Sequence, residues 1–191
     1  LLSKPSIQKV KRAAPGGAGD VIDPYSSEAM KRYLGRFSDA FRGFDAPEPR
    51  AQFHDSFEYY GAEWSPGLLN KFRKQQGYEL TDQLPAFLGM GDADVSSRVR
   101  ADWRMTLSDM HRDFLSTWHD WASARGALTR NQAHGSPGNL LDHYAVADIP
   151  ETEIFRHVED AQIPMMGLAA SAAHLNGRKL VSAESFTWLG E

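Results

Sequence analysis

The sequence predicts an α/β chain of parallel strand–helix units, a partial (β/α)8 TIM-type barrel with about five of the eight strands. Three observations carry that prediction. Short β-prone runs alternate with amphipathic helical segments along the whole chain. Three of those runs finish in carboxylates, at Glu58, at Glu151 to Glu153 and at Glu184. A closed barrel needs about 250 residues, so a chain of 191 holds at most about six units.

Taken in order, Ile7 to Ala13 alternates loosely and is expected to be the first strand, ended by Pro15-Gly16-Gly17-Ala18-Gly19-Asp20. That stretch lacks the Lys-Ser/Thr ending of a phosphate-binding loop, which leaves a flexible turn or a close backbone approach to a ligand. Asp23, Ser26 or Ser27 caps a helix to about Phe44, with Met30, Tyr33, Leu34, Phe37 and Phe41 on one face, assigned to the core. Pro47 and Pro49 precede the second strand, Ala51-Gln52-Phe53, which runs into His54-Asp55-Ser56-Phe57-Glu58. Ser65-Pro66 then reads as the start of a helix ending at Gly77.

A short helix over Thr81 to Leu88 gives way to a surface turn, Gly89 to Asp94, whose aspartates lack the spacing of a calcium-binding hand. Ser96 or Ser97 opens the longest helix, to about Arg125. Its Val99, Trp103, Leu107, Met110, Phe114, Trp118 and Trp121 recur at helical spacing. After Gly126, Ala127 to Asn131 is the third strand, with Arg130, Asn131, Gln132 and His134 at its polar end, and Gly135-Ser136-Pro137 turns into a short helix. Tyr144 to Glu153 is the fourth strand. The last helix, about Asp160 to Leu175, has a small face of Ala169, Ala170, Ala172 and Ala173, and Lys179 to Ala183 leads to Glu184 as the fifth strand.

Composition narrows the function classes. A hydrophobic share of 41% with 24% charged residues is ordinary for a globular domain. A net charge of −4 offers no basic footprint for nucleic acid, and Lys4, Lys9, Lys11 and Arg12 read as a solvated strand edge. No apolar run reaches the roughly 18 residues of a membrane span. With no cysteine there is neither a disulfide framework nor a thiolate metal site. No repeat or linker is evident, so residues 1–191 read as one domain. The start, Leu1-Leu2-Ser3, has neither Met nor a signal-peptide pattern, and the chain is expected to be the central part of a longer one, cut at both ends.

Parallel strands open onto one face, so carboxylates at their ends converge although they are distant in sequence. Two carboxyl groups facing each other across a sugar are the machinery of glycoside hydrolysis, one donating a proton to the leaving oxygen and the other acting as base or nucleophile. Glu58 and Glu184 meet the positional requirement. Tyr59, Tyr60, Trp64 and Trp188 are candidates for a sugar-stacking wall, or else core.

Four segments, Asp55-Ser56-Phe57-Glu58, Leu128 to Pro137, Ala147 to Glu153 and Leu180 to Glu184, together resemble glycoside hydrolase family 106, the bacterial α-L-rhamnosidases. The resemblance runs from about Val10 to Trp188. It implies a (β/α)8 catalytic domain, calcium-dependent hydrolysis of terminal α-L-rhamnosides and inversion at the anomeric carbon. Residue by residue, it implies Glu58 as general acid, Glu184 as general base, and Glu153 or Glu151 as calcium ligand. His54, Asp55, Arg130, Asn131, His134 and Trp188 are expected to bind the sugar. Glu58 is expected to be partly buried against Phe57 or Tyr60, which would raise its pKa.

Expected partners are a rhamnose-containing oligosaccharide or glycoside and the remaining barrel and accessory domains of the parent chain. Export, periplasmic or secreted, is expected of that parent. The sequence leaves three alternatives open: a retaining glycosidase, a non-catalytic carbohydrate-binding module, and a scaffold fragment with no function of its own.

Overall fold

The computed structural model describes residues 8–155 and 163–187. Four strands, β1 (Ala51–His54), β2 (Leu128–Asn131), β3 (Ile149–Phe155) and β4 (Ser182–Thr187), lie side by side in the order β1-β2-β3-β4, all parallel. Sequential order without reversal is how a β/α barrel is wound, whereas a doubly wound sheet reverses at a switch point. The α/β class and parallel sheet expected from the sequence are present.

The strand count is four among the described residues, not five. Residues 8–13 of the expected first strand carry a lone antiparallel bridge, Lys9 with Asp20. The cause is local: the Gly17 N–H donates to Ala14 O at 2.8 Å, and the chain folds back so that the Val10 N–H meets Gly19 O. Two other strand boundaries move. Tyr144 to Val146, expected in a strand, close a helix because the Asn139 carboxamide caps its first turn; β3 begins at Ile149. Residues 179–181 precede β4, so Glu184 is the third residue of its strand and not its end.

The described residues form six helices, α1 (Ser27–Phe41), α2 (Leu68–Gln76), α3 (Leu84–Phe87), α4 (Ala93–Ser123), α5 (Leu140–Val146) and α6 (Ile163–Leu175), with a 3-10 turn at Leu80–Gln83; α4, α5 and α6 pack on the sheet, and α1, α2 and α3 pack on α4. Ser26 caps α1 by accepting from the Ala29 N–H. Ser65 and Ser96 do not cap as expected. The Ser65 hydroxyl donates to Asp23 at 2.8 Å, and α4 starts three residues early because the Asp92 carboxylate accepts from the N–H groups of Asp94 and Val95. None of the described helices is long and apolar enough to cross a membrane.

Helix α4 is the spine of the core. Its Phe114, Leu115 and Trp118 pack on Met30 and Leu34 of α1; Leu107 and Met110 meet Tyr25 and Leu68; Val99 meets Phe72 and Leu80. Truncating a side chain as completely enclosed as Phe114 to Ala typically costs about 3–5 kcal/mol. On α6, Ala169 and Ala172 are buried against Ala133 and Tyr144, which is the close packing that small residues permit; Ala173 is buried as well, while Ala170 faces outward. The aromatic stripe of α1 divides. Met30 and Leu34 are core, but Tyr33 and Phe37 are exposed and line a cleft, because among the described residues only the folded-back N-terminal segment approaches that side of the helix.

Candidate active site

Parallel register brings the C-terminal ends of the strands to one edge. His54 lies beside Asn131, Asn131 beside Pro150, Glu151 beside Ser182 and Glu153 beside Glu184. Strand side chains alternate, so Glu151 and Glu153 share a face. Glu153 and Glu184 are direct neighbours across the β3–β4 pair, a like-charge juxtaposition that destabilises a sheet.

Each side chain here has an identifiable partner. The His54 Nδ1–H donates to Asn131 Oδ1 at 2.9 Å, and Asn131 is fully enclosed. Burial lowers the His54 pKa, partly offset by Asn131 and Asp55. Arg130 sets its Nε 3.1 Å from Glu151 Oε2 and lays its guanidinium 4.3 Å from the Phe53 ring centroid. Gln132 is buried beneath them. Its Nε2 donates to Glu151 Oε1 at 2.9 Å and to Glu184 Oε2 at 2.7 Å, while its Oε1 is buried without a partner among the described residues. A buried amide oxygen left in that condition typically costs about 1–3 kcal/mol. The arrangement keeps both N–H groups on carboxylates at that expense.

His134 meets Glu153 at 2.6 Å. The Glu153 carboxyl is pushed up to about 7, first by burial and then by repulsion from Glu184, Asp55, Glu58 and Glu151. Burial lowers the His134 imidazole, although Asp55, Glu184 and Glu58 pull it upward. Four carboxylates from three strands and their loops thus act on Glu153 across this edge.

Glu58 departs from expectation. Strand β1 ends at His54, so Glu58 sits four residues beyond it on a loop. Its side chain is 45% exposed, and Lys11 Nζ lies 2.9 Å from its Oε2. Of the two neighbours expected to bury Glu58 in part, the Tyr60 hydroxyl lies 3.4 Å from its Oε1, whereas the Phe57 ring turns inward onto His111, 5.0 Å between centroids. Lys11, read from the sequence as a solvated basic residue, instead spans Glu58 and the Tyr60 hydroxyl, and Gln8 donates to the Glu58 carbonyl at 2.6 Å. No local pattern could announce contacts made across some fifty residues.

Asp55 is exposed and turns its carboxylate to the Ser56 N–H. Tyr59 stacks on His54, Trp64 packs into the core beside Tyr25 and Leu68, and Trp188 lies outside the described residues. A cleft of about 430 Å³, within the range of small-ligand sites, opens beside Glu58, Asp55 and His54 and is walled by Tyr33, Phe37 and Tyr59.

The expected calcium ligands do not form a calcium site by themselves. That ion takes six to eight oxygens, and no group of three or more His, Asp or Glu among the described residues is arranged to hold a metal. Glu151 is already engaged by Gln132, Arg130 and the Ser182 hydroxyl.

The family model for glycoside hydrolase family 106, described as alpha-L-rhamnosidase, matches residues 6–191. A curated protein of Formosa agariphila named "Putative beta-glucuronidase" is 26% identical over 97% of this chain, which spans 16% of that protein. The structure of a rhamnosidase from Novosphingobium sp. PP1Y superposes with a TM-score of 0.79 at 29% identity, covering 93% of this chain and 18% of the neighbour. The chain thus spans less than a fifth of either relative.

Proposed function

Because this chain belongs to glycoside hydrolase family 106, we propose that the strand-end carboxylates are the catalytic centre of an α-L-rhamnosidase, acting within the parent protein to release terminal rhamnose from an oligosaccharide or glycoside. Glu58 protonates the leaving oxygen, and Glu184 takes a proton from a water that attacks the opposite face of the sugar, which inverts the anomeric carbon. A carboxyl that hands its proton to a leaving group cannot keep a lysine on the same oxygen, so Lys11 leaves Glu58 Oε2 during turnover. His54, Asp55, Arg130, Asn131 and His134 orient sugar hydroxyls from the rim. The open edges of β1 and β4 are completed by further strands of the parent protein.

The observation that carries this reading is the setting of Glu153, whose pKa is pushed up to about 7 first by burial and then by four other carboxylates. Structural carboxylates are normally matched with cations; charges held against one another mark chemistry. The mechanism contains no step through calcium. The ion expected from the resemblance needs oxygens beyond Glu151 and Glu153, and thermal unfolding with and without calcium tests it: a rise in Tm restores it to the site.

The first experiment is hydrolysis of a chromogenic α-L-rhamnoside by the full protein, with the product followed by NMR. Initial release of β-L-rhamnose supports the proposal; α-L-rhamnose would indicate retention, and cleavage of a β-glucuronide instead would overturn the substrate. One observation favours a second reading in which Glu153 is the acid, since it is the carboxyl that holds a proton near neutrality. Leaving groups decide between them. Loss of the true acid spares substrates with an acidic phenol and disables those with an alkyl aglycone; Glu58→Gln or Glu153→Gln will display that split.

A further inference from the structure

We propose that Gln132 is the positioning residue of the hydrolytic base, holding Glu184 through its side-chain amide, and that Glu151 is the anchor that holds Gln132. The inference rests on the reading of Glu184 as base. It reassigns Glu151, expected from the sequence to bind a metal, to an organising role.

The geometry is a chain of donors. Arg130 Nε and the Ser182 hydroxyl both engage Glu151 Oε2, leaving Oε1 of the same carboxylate to accept from Gln132 Nε2 at 2.9 Å. The second N–H of that amide reaches Glu184 Oε2 at 2.7 Å. Both acceptors are carboxylate oxygens, so the amide has one tenable orientation; turned over, its oxygen would face two anions. The buried, unpartnered Oε1 is the signature of that choice. Gln132 cannot drift, because it is fully enclosed and its backbone N–H extends the β1–β2 ladder by donating to His54 O at 3.0 Å.

Glu184 needs such a restraint. Its register partner across the β3–β4 pair is Glu153, so two carboxylates stand side by side. Without a donor on the far side, mutual repulsion swings the Glu184 carboxylate away from the water it must deprotonate. A neutral donor suits the task better than a cation: it fixes an oxygen without forming an ion pair that would blunt the base. The outcome is a base aimed by β2, anchored by β3 and carried on β4.

Gln132→Met, which keeps the volume and removes the donor, tests this in the full protein on an aryl α-L-rhamnoside. The expected result is a fall in kcat of about 10- to 100-fold with KM changed by no more than about twofold. Combined with Glu184→Gln, the same substitution lowers the residual rate by less than about twofold, because the group it positions is already gone. Gln132→Glu, which preserves shape and adds a third buried carboxylate, gives the same kcat-specific loss and covers the case in which the methionine variant does not fold. An equal loss of kcat with and without Glu184 would overturn the positioning role and leave the base assignment standing. Near-normal turnover of Glu184→Gln would overturn the base, and this inference with it. Unchanged kcat in both Gln132 variants would also overturn it.

Discussion

The two ends of the sheet handle carboxylates in opposite ways. At the N-terminal end, Asp148 sits just ahead of β3 and is matched on every side: it accepts from the Thr129 backbone N–H at 2.9 Å and the Thr129 hydroxyl at 3.0 Å, and it pairs with Arg178 at 3.1 Å and His119 at 3.6 Å. Arg125 and Glu48 add a second matched pair at 3.0 Å on the β1 side. At the C-terminal end Glu58 and Glu151 have Lys11 and Arg130 beside them, yet Glu153 is pushed up to about 7, first by burial and then by Glu184, Asp55, Glu58 and Glu151. One end has its charges neutralised and ties strands to helix α4. The other stores repulsion. The difference teaches where stability and chemistry reside in a fold of this kind: the strands are shared, and the ends divide the work.

The largest test of that comparison is catalytic. Replacing Glu184 by Gln in the full protein lowers kcat by about 10²- to 10⁴-fold, the usual weight of a general base, with little change in Tm; a large drop in Tm instead would move Glu184 to the structural side of the ledger. Asp148→Ala should do the reverse. Removing the shared acceptor of Thr129, Arg178 and His119 destabilises by about 3 kcal/mol, read as a lower urea midpoint, while KM for an aryl rhamnoside stays near normal.

Glu153→Gln sharpens the contrast further. It deletes a charge facing four others, so the variant is expected to unfold about 1–2 kcal/mol later than the native protein while losing turnover, the trade typical of residues kept for function. A variant that is both less stable and fully active would break the comparison.

The smallest effect comes from pH and belongs to the layer between the two ends. His111 and His143 are fully enclosed, 5.1 Å apart between ring centroids. Burial, then the neighbouring His143 and His54, depress the His111 pKa well below 6.5, while its bond to Pro24 O pulls it up. Burial likewise lowers His143. A histidine whose folded pKa lies below its unfolded one takes up its proton on unfolding, so stability is full above the ordinary imidazole value of 6.5 and declines as pH falls through it. Urea midpoints measured from pH 7.5 to pH 5.5 should fall, and His111→Phe should flatten part of that decline.

Particular residues mark what could be read in advance. The periodicity of Val99, Leu107, Met110, Phe114 and Trp118 announced α4, since one helix face repeats every three to four residues and nothing else in a chain does so over that length. The carboxylates of β3 and β4 were legible as residues of those strands, but Glu151, Glu153 and Glu184 lie within the strands and not at their ends. Boundaries were less so: Tyr144 looked like the start of a strand but closes α5, because Asn139 supplies a cap that hydrophobic pattern does not register.

Sequence by itself determined the α/β class, the alternation, the helical core and the identity of the acidic residues, all of which follow from local pattern and composition. Tertiary structure alone decided how those acids are used. Contacts over 52 residues join Glu184 to Gln132, over 47 hold Glu58 on Lys11, and over 19 tie Glu151 to Gln132. Charge and burial around a carboxyl are set by whatever the fold brings beside it. That is why Glu153, enclosed on β3 with other carboxylates around it, emerges with a raised pKa.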